Sequence, residues 1–231
     1  MFEDIFSLVW LILGLPLAGF LVQSLFGGAV VRALGPANGK KVMGWLAVLP
    51  IAFSFLLGAV ITNQLMNVPA PYRIVERTLF DWIHLQSLSI PFEVRIDPLS
   101  MTMVLVVTGI GALIHLYATG YMAEERDYTR FFTYMNLFIV CMLTLVLGGN
   151  LAMLFIGWEG VGLCSYLLIG FWYKDLANAR AANKAFIVNR IGDWGLTLGM
   201  FLTVMLVAGN LDELKVPSGQ FLSYSVLLSE E

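Results

Sequence analysis

The chain has 231 residues, of which 59% are hydrophobic and only 13% charged, and its mean hydropathy is +0.82. Soluble domains carry about a quarter charged residues, so a water-soluble enzyme is all but excluded. With 13 basic residues against 16 acidic ones no basic surface can dominate, which argues against nucleic-acid binding, and 13% aromatic content argues against disorder. The N-terminus Met1-Phe2-Glu3-Asp4 is acidic and no small-residue cleavage site follows the first apolar run, so no cleavable signal peptide is expected.

A hydrocarbon core about 30 Å thick calls for about 20 apolar residues in a helix. In chain order, six stretches qualify: Ile5 to Phe26, with Pro16 expected to kink it; Val42 to Gln64; Pro98 to Gly120; Phe131 to Leu147; Leu151 to Trp172, after the turn Gly148-Gly149-Asn150; and Lys184 to Ala208. The segment Pro69 to Asp97 is too polar to span. Ile90, Phe92, Val94 and Ile96 alternate there with Glu93, Arg95 and Asp97, which predicts a small β-hairpin on the membrane surface. Asp97 is then the N-cap of the third span and Pro98 its first residue. The expected architecture is an all-α membrane protein of about six transmembrane helices. Residues 1–64 form helices 1 and 2, and residues 65–97 an extramembrane loop with the hairpin. Residues 98–208 form helices 3–6 with the proton-path candidates, and 209–231 an unassigned tail.

Orientation follows from the loop cations. Arg32, Lys40, Lys41, Arg126, Arg130, Lys174, Arg180, Lys184 and Arg190 fall on one side; Arg73, Arg77, Arg95 and Lys215 fall on the other. The first group is expected in the cytoplasm, which places the N-terminus outside, and a bacterial inner (plasma) membrane is the default location.

Ionisable side chains in hydrocarbon cost about 2.5–3.5 kcal/mol each on insertion scales and are functional candidates by default. Four such residues stand out: His115, Glu159, Arg190 and Asp193. Glu159 lies deep in its span with no cation on its own helix, so its countercharge must come from another. Gly157, Gly160 and Gly162 around it allow a neighbour to approach closely. It is either a structural lock between helices or a proton carrier, the second being favoured. Arg190 and Asp193 are three residues apart on one helix. They form either a self-neutralising pair or a switchable one. Lys184, where that helix begins, either snorkels to the interface or guards the mouth of a path. His115 reads first as a hydrogen-bonded core residue and second as a proton-path residue. Cys141 and Cys164 read as buried packing residues. No nucleotide-binding or metal-ligating motif is present, so no cofactor and no metal are expected in this chain itself.

The run Gly157-Trp158-Glu159-Gly160-Val161-Gly162-Leu163-Cys164-Ser165-Tyr166-Leu167-Leu168-Ile169-Gly170-Phe171-Trp172 resembles the L-type subunit, or subunit 5, of NADH–quinone oxidoreductase (respiratory complex I). So do Arg95-Ile96-Asp97-Pro98-Leu99-Ser100, Arg130-Phe131-Phe132 and Asn189-Arg190-Ile191-Gly192-Asp193-Trp194-Gly195. The resemblance implies an antiporter-like, proton-translocating membrane subunit. The family's glutamate then falls on Glu159, its arginine and aspartate one helix later on Arg190 and Asp193, and the basic residue entering that helix on Lys184. It also implies that this glutamate pairs with a lysine from a later, broken helix, beyond this chain. NADH, FMN, iron–sulfur clusters and quinone are implied in partner subunits. The implied partners are other membrane subunits of complex I and the lipid bilayer, with no nucleic acid and no soluble small-molecule substrate bound directly. Family members continue well beyond a chain of this length, so either this is a fragment of a longer subunit or the remainder lies on another polypeptide. The alternatives are the large subunit of a multisubunit Na⁺/H⁺ antiporter, which shares the fold, and a structural subunit that transports nothing.

Overall fold

The computed structural model describes residues 2–85, 88–209 and 222–228. A short helix α1 (Phe2–Ser7) leads into a long helical stretch α2 (Val9–Met66). A two-stranded antiparallel hairpin follows, β1 (Val75–Leu85) and β2 (Leu88–Ile96). Then come α3 (Pro98–Tyr121), α4 (Tyr128–Leu147), α5 (Leu151–Ile169), α6 (Leu176–Gly209) and a single turn α7 (Tyr224–Leu227). Five helical segments are long and apolar enough to cross a membrane, and the first, Ile5–Met66, doubles back on itself. Its two legs bring the number of spans to the six expected.

The reversal is made at Gly35 (φ +76°, ψ 164°), the non-helical residue inside α2, followed directly by Pro36. A left-handed φ is open to glycine at little cost, and proline cannot continue the preceding helix. The expectation of a loop between residues 26 and 42 is therefore corrected. Arg32, Lys40 and Lys41 all lie on helical backbone, because one Gly-Pro step suffices to turn the chain.

Pro16 and Pro50 leave the backbone helical, because the facing legs accommodate the carbonyls that each proline strands. Pro16 has no N–H for the carbonyl of Ile12, and the Ser54 hydroxyl donates to that oxygen at 3.0 Å. Pro50 likewise frees the carbonyl of Leu46, which faces Gly19 where a Cβ would stand 3.3 Å away. Proline is tolerated in membrane helices where a neighbour satisfies the freed group, as Ser54 does for Ile12.

The expected hairpin is present, with Val75 opposite Ile96 and Ile83 opposite Ile90. Asp97 caps α3 as expected: Ser100 N–H donates to Asp97 Oδ1 at 2.7 Å and Asp97 N–H donates to Ser100 Oγ at 2.9 Å. The hairpin covers one end of the bundle. There Val94 and Ile96 join Val9, Ile12, Ile61, Leu143 and Leu147 in one buried cluster. At the opposite end Met43, Ala47, Met122, Tyr128, Phe132 and Phe171 form a second cluster. α4 is the central helix, packed against α2, α3 and α5, whereas α6 packs mainly on α5 at the edge.

The sixth span starts earlier than expected, at Leu176 rather than Lys184. Asp175 Oδ1 accepts from Ala177 N–H at 2.9 Å and helps start the helix there. Of the tail, residues 210–221 lie outside the described residues. Residues 222–228 return to the hairpin end, where Leu151 N–H donates to the Leu222 carbonyl and Tyr224 N–H to the Gly149 carbonyl.

Candidate functional site

α5 begins at an N-cap, Asn150, whose side-chain oxygen accepts from Met153 N–H at 2.9 Å. Its glycines then press it onto α4. A Cβ at Gly157 would stand 2.4 Å from the backbone nitrogen of Leu145, and one at Gly160 would stand 2.5 Å from Cys141 Sγ. Only a bare backbone fits this closely. The thiols of Cys141 and Cys164 meet across the same seam, and both are free.

With the glycines against α4, Trp158 and Glu159 reach α6. Glu159 sits about 12 Å along α5 from Leu151, well inside the span. Its Oε2 accepts from Arg190 Nη1. The Nε of the same guanidinium lies 3.8 Å from Asp193 Oδ2, and Trp158 donates its indole N–H to Asp193 Oδ1 at 2.7 Å. The guanidinium also lies 4.9 Å over the Phe186 ring, which packs against Tyr166. One cation is thus shared by two carboxylates. The Glu159 side chain is 21% exposed and that of Asp193 10%, while Arg190, on the open side of α6, is 45% exposed. Glu159 Oε1 is buried and has no hydrogen-bond partner among the described residues.

The other two candidates are not part of this cluster. Lys184 is exposed on α6, about 9 Å along the axis from Arg190, and forms no ion pair with a described residue. His115 is buried in α3, its Nδ1 donating to the Gly111 carbonyl at 2.8 Å, and α4 lies between α3 and α5. Among the described residues, no group of His, Cys, Asp and Glu could hold a metal ion.

Sequence reasoning passed over Trp158, although an indole N–H in an apolar helix needs an acceptor and was a usable signal. It also passed over Glu93, which strand alternation assigns to solvent. Glu93 is instead buried, with Asn150 Nδ2 at 3.3 Å and Ser223 Oγ at 3.4 Å from Oε1. Burial pushes the Glu93 carboxyl above its ordinary value and nearby Glu76 adds to this, while the hydrogen bonds from Asn150 and Ser223 oppose it. At the other end of the bundle the connections are tied together. Lys40 Nζ donates to the Ala123 carbonyl at 2.7 Å, Arg130 to the Phe171 carbonyl at 3.1 Å, and the Trp172 indole to Glu125 at 3.0 Å.

Residues 82–132 match the family described as NADH-Ubiquinone oxidoreductase (complex I), chain 5 N-terminus. Residues 148–223 match that described as NADH:quinone oxidoreductase/Mrp antiporter, TM. The NADH-quinone oxidoreductase subunit L of Mycobacterium tuberculosis is 46% identical over 194 residues, covering 84% of this chain and 29% of that protein. Subunit L of Escherichia coli is 44% identical over 188 residues, covering 81% and 29%. The NADH-ubiquinone oxidoreductase chain 5 of Hypocrea jecorina is 35% identical over 198 residues, covering 86% and 27%. The chain thus spans less than a third of the length of these relatives. Among solved structures, the Mrp complex of a Dietzia species superposes with a TM-score of 0.62 at 24% identity, covering 85% of this chain and 20% of that one. The archaeal membrane-bound sulfane sulfur reductase superposes with a TM-score of 0.65 at 15% identity, covering 87% and 37%. These two share the fold. The chain belongs to the family of L-type, or chain 5, antiporter-like membrane subunits of NADH–quinone oxidoreductase, and corresponds to their N-terminal portion.

Proposed function

We propose that this chain is part of a proton-translocating membrane subunit of NADH–quinone oxidoreductase, and that Glu159, Arg190 and Asp193 form its switchable proton site. The observation that carries the reading is the sharing of one guanidinium by two carboxylates, with Glu159 Oε1 buried and free to take another partner. Burial favours the protonated form of a carboxyl and a nearby cation favours the ionised form, so a cation that moves can load or release a proton. Lys184 is the cation at the mouth of the path, and His115 is a further station on the far side of α4.

The redox chemistry belongs elsewhere. NADH, FMN, iron–sulfur clusters and quinone are held by partner subunits, and a charge change arriving through neighbouring membrane subunits drives the site. The setting is a bacterial inner membrane. The N-terminus is outside, because Lys40, Lys41, Arg126 and Arg130 gather at the end opposite the hairpin.

The likeness to the Mrp complex supports a second reading, the large subunit of a Na⁺/H⁺ antiporter. In membrane vesicles, proton movement that depends on NADH oxidation supports the first reading. Movement driven by a Na⁺ gradient alone supports the second. Glu159→Gln in the full-length subunit, within its assembled complex, is expected to preserve NADH oxidation and to lower the protons moved per NADH. Unchanged pumping in an assembled complex refutes the role of Glu159 and leaves a structural lock.

A further inference from the structure

A second set of buried polar atoms lies on the far side of α4, and nothing in the proton site accounts for it. Gln23 is 1% exposed, His115 1% and Asn136 0%. Both side-chain polar atoms of Gln23, His115 Nε2 and Asn136 Oδ1 lack a hydrogen-bond partner among the described residues. Buried amides and imidazoles are rarely left in this state.

Helix contacts above and below bring these residues to one level. On the first leg of α2, a Cβ at Gly19 would stand 3.3 Å from Asn136 Oδ1. One at Gly27 would stand 2.3 Å from Thr129 Cγ2. Gln23 lies midway between them on the same face, opposite the α4 turn that carries Phe132 and Asn136. On α3, Gly111 packs on Ile51 and Ile139, and a Cβ at Gly44 would stand 3.2 Å from Thr119 Cγ2. His115 lies midway between those contacts, beside Ala47 and with its ring 6.3 Å from that of Phe132. Ala47, fully buried, presents only a methyl group to this layer.

As placed, the polar groups do not satisfy one another. His115 Nδ1 must donate to the Gly111 carbonyl, which makes Nε2 of the neutral ring an acceptor. One Asn136 N–H is spent on the Phe132 carbonyl at 3.1 Å. Three acceptors remain, His115 Nε2, Asn136 Oδ1 and Gln23 Oε1, against three unspent amide N–H groups, two on Gln23 and one on Asn136, yet none of these pairs is within hydrogen-bond reach. Water bridges such gaps, since each molecule brings two O–H donors and two lone pairs, and buried waters usually make about three hydrogen bonds to such groups.

We infer that Gln23, His115 and Asn136 form a binding site for internal water within the α2–α3–α4 part of the bundle. A cleft of about 380 Å³ opens nearby, at the Lys40 end of the molecule. The cleft is lined by Lys40, Tyr128, Thr119 and Gly44, and reaches Val48 and Leu116, the chain neighbours of Ala47 and His115.

The test is a high-resolution cryo-EM map of the membrane complex carrying the full-length subunit, wild type and Gln23→Leu. In the wild type, non-protein density is expected about 3 Å from His115 Nε2 and Asn136 Oδ1. In Gln23→Leu it should weaken or disappear. A wild-type layer without such density, with Gln23 bonded directly to Asn136 or His115, overturns the inference. Density that persists undiminished in Gln23→Leu removes Gln23 from the site. A Glu159→Gln complex should keep the density, so the outcome here is separable from that of the proton site.

Discussion

The seam between α4 and α5 sets where Glu159 sits, and Gly157→Ala tests it. The added methyl would stand 2.4 Å from Leu145 N and 2.5 Å from Leu145 Cα. These are backbone atoms, so no side-chain rotation relieves the clash. Restoring a 3.4 Å contact needs the two helices to part by about 1 Å. Overpacking of this kind costs about 1–3 kcal/mol. Gly162→Ala supplies the control on the same helix, because a Cβ there meets nothing within 4 Å, and alanine is the better helix former by about 1 kcal/mol. The chain has two cysteines, and both lie at this seam. A thiol-reactive fluorescent dye in a detergent melting experiment therefore reports the opening of this contact. Gly157→Ala should lower the midpoint by several degrees, and Gly162→Ala should leave it equal or higher. If both variants melt together with the wild type, the close approach of α4 and α5 is wrong, and the placement of Glu159 with it.

Two further outcomes follow from the hairpin end. Asp97→Ala removes the capping box that starts α3 and should cost about 1 kcal/mol in the same melting assay. Because burial raises the Glu93 carboxyl above its unfolded value of 4.5, the folded state binds a proton more tightly than the unfolded one. The sign is therefore opposite to that of a salt-bridged acid: the clamp between the hairpin, Asn150 and Ser223 is most stable at low pH and weakens as pH rises through the raised value. Protection of the amides of residues 222–228, taken relative to their intrinsic exchange rates, should fall from mildly acidic to neutral pH in the wild type. It should be higher and flatter with pH in Glu93→Gln; protection that falls toward acid refutes the assignment.

The spans were legible because lipid demands about 20 apolar residues and leaves little choice of structure. Asp97-Pro98 marked a helix start for the same local reason in sequence and structure. The reversal at Gly35 was not legible as a one-residue turn, because the polar stretch around Lys40 reads as a loop while its backbone remains helical. Glu93 was misread because alternation gives the face of a strand but not what covers that face. Glycines 148 and 149 and the returning residues 222–228 cover it here. Around Glu159, the need for a cation from another helix could be read from the sequence. That Arg190 would supply it could not, since its spacing from Asp193 already suggested a pair within α6.

The charge count in that cluster leads to a further test. A guanidinium does not deprotonate in proteins, so a proton exchanged at this site must reside on Glu159 or Asp193. With one fixed cation and two carboxylates, the cluster is neutral when it holds one proton, and a second cation beside Glu159 Oε1 would drive that proton off. Asp193→Asn removes one carboxylate and keeps an oxygen to accept from Trp158. Arg190 then serves Glu159 alone, the cluster is neutral with no proton bound, and the exchangeable proton is lost. In the assembled complex, Asp193→Asn should therefore reduce protons moved per NADH about as far as Glu159→Gln, with NADH oxidation retained. Combining the two substitutions should add little, since groups acting as a unit are not additive. If Asp193→Asn pumps fully while Glu159→Gln does not, Asp193 merely holds the arginine in place and the shared-proton reading fails.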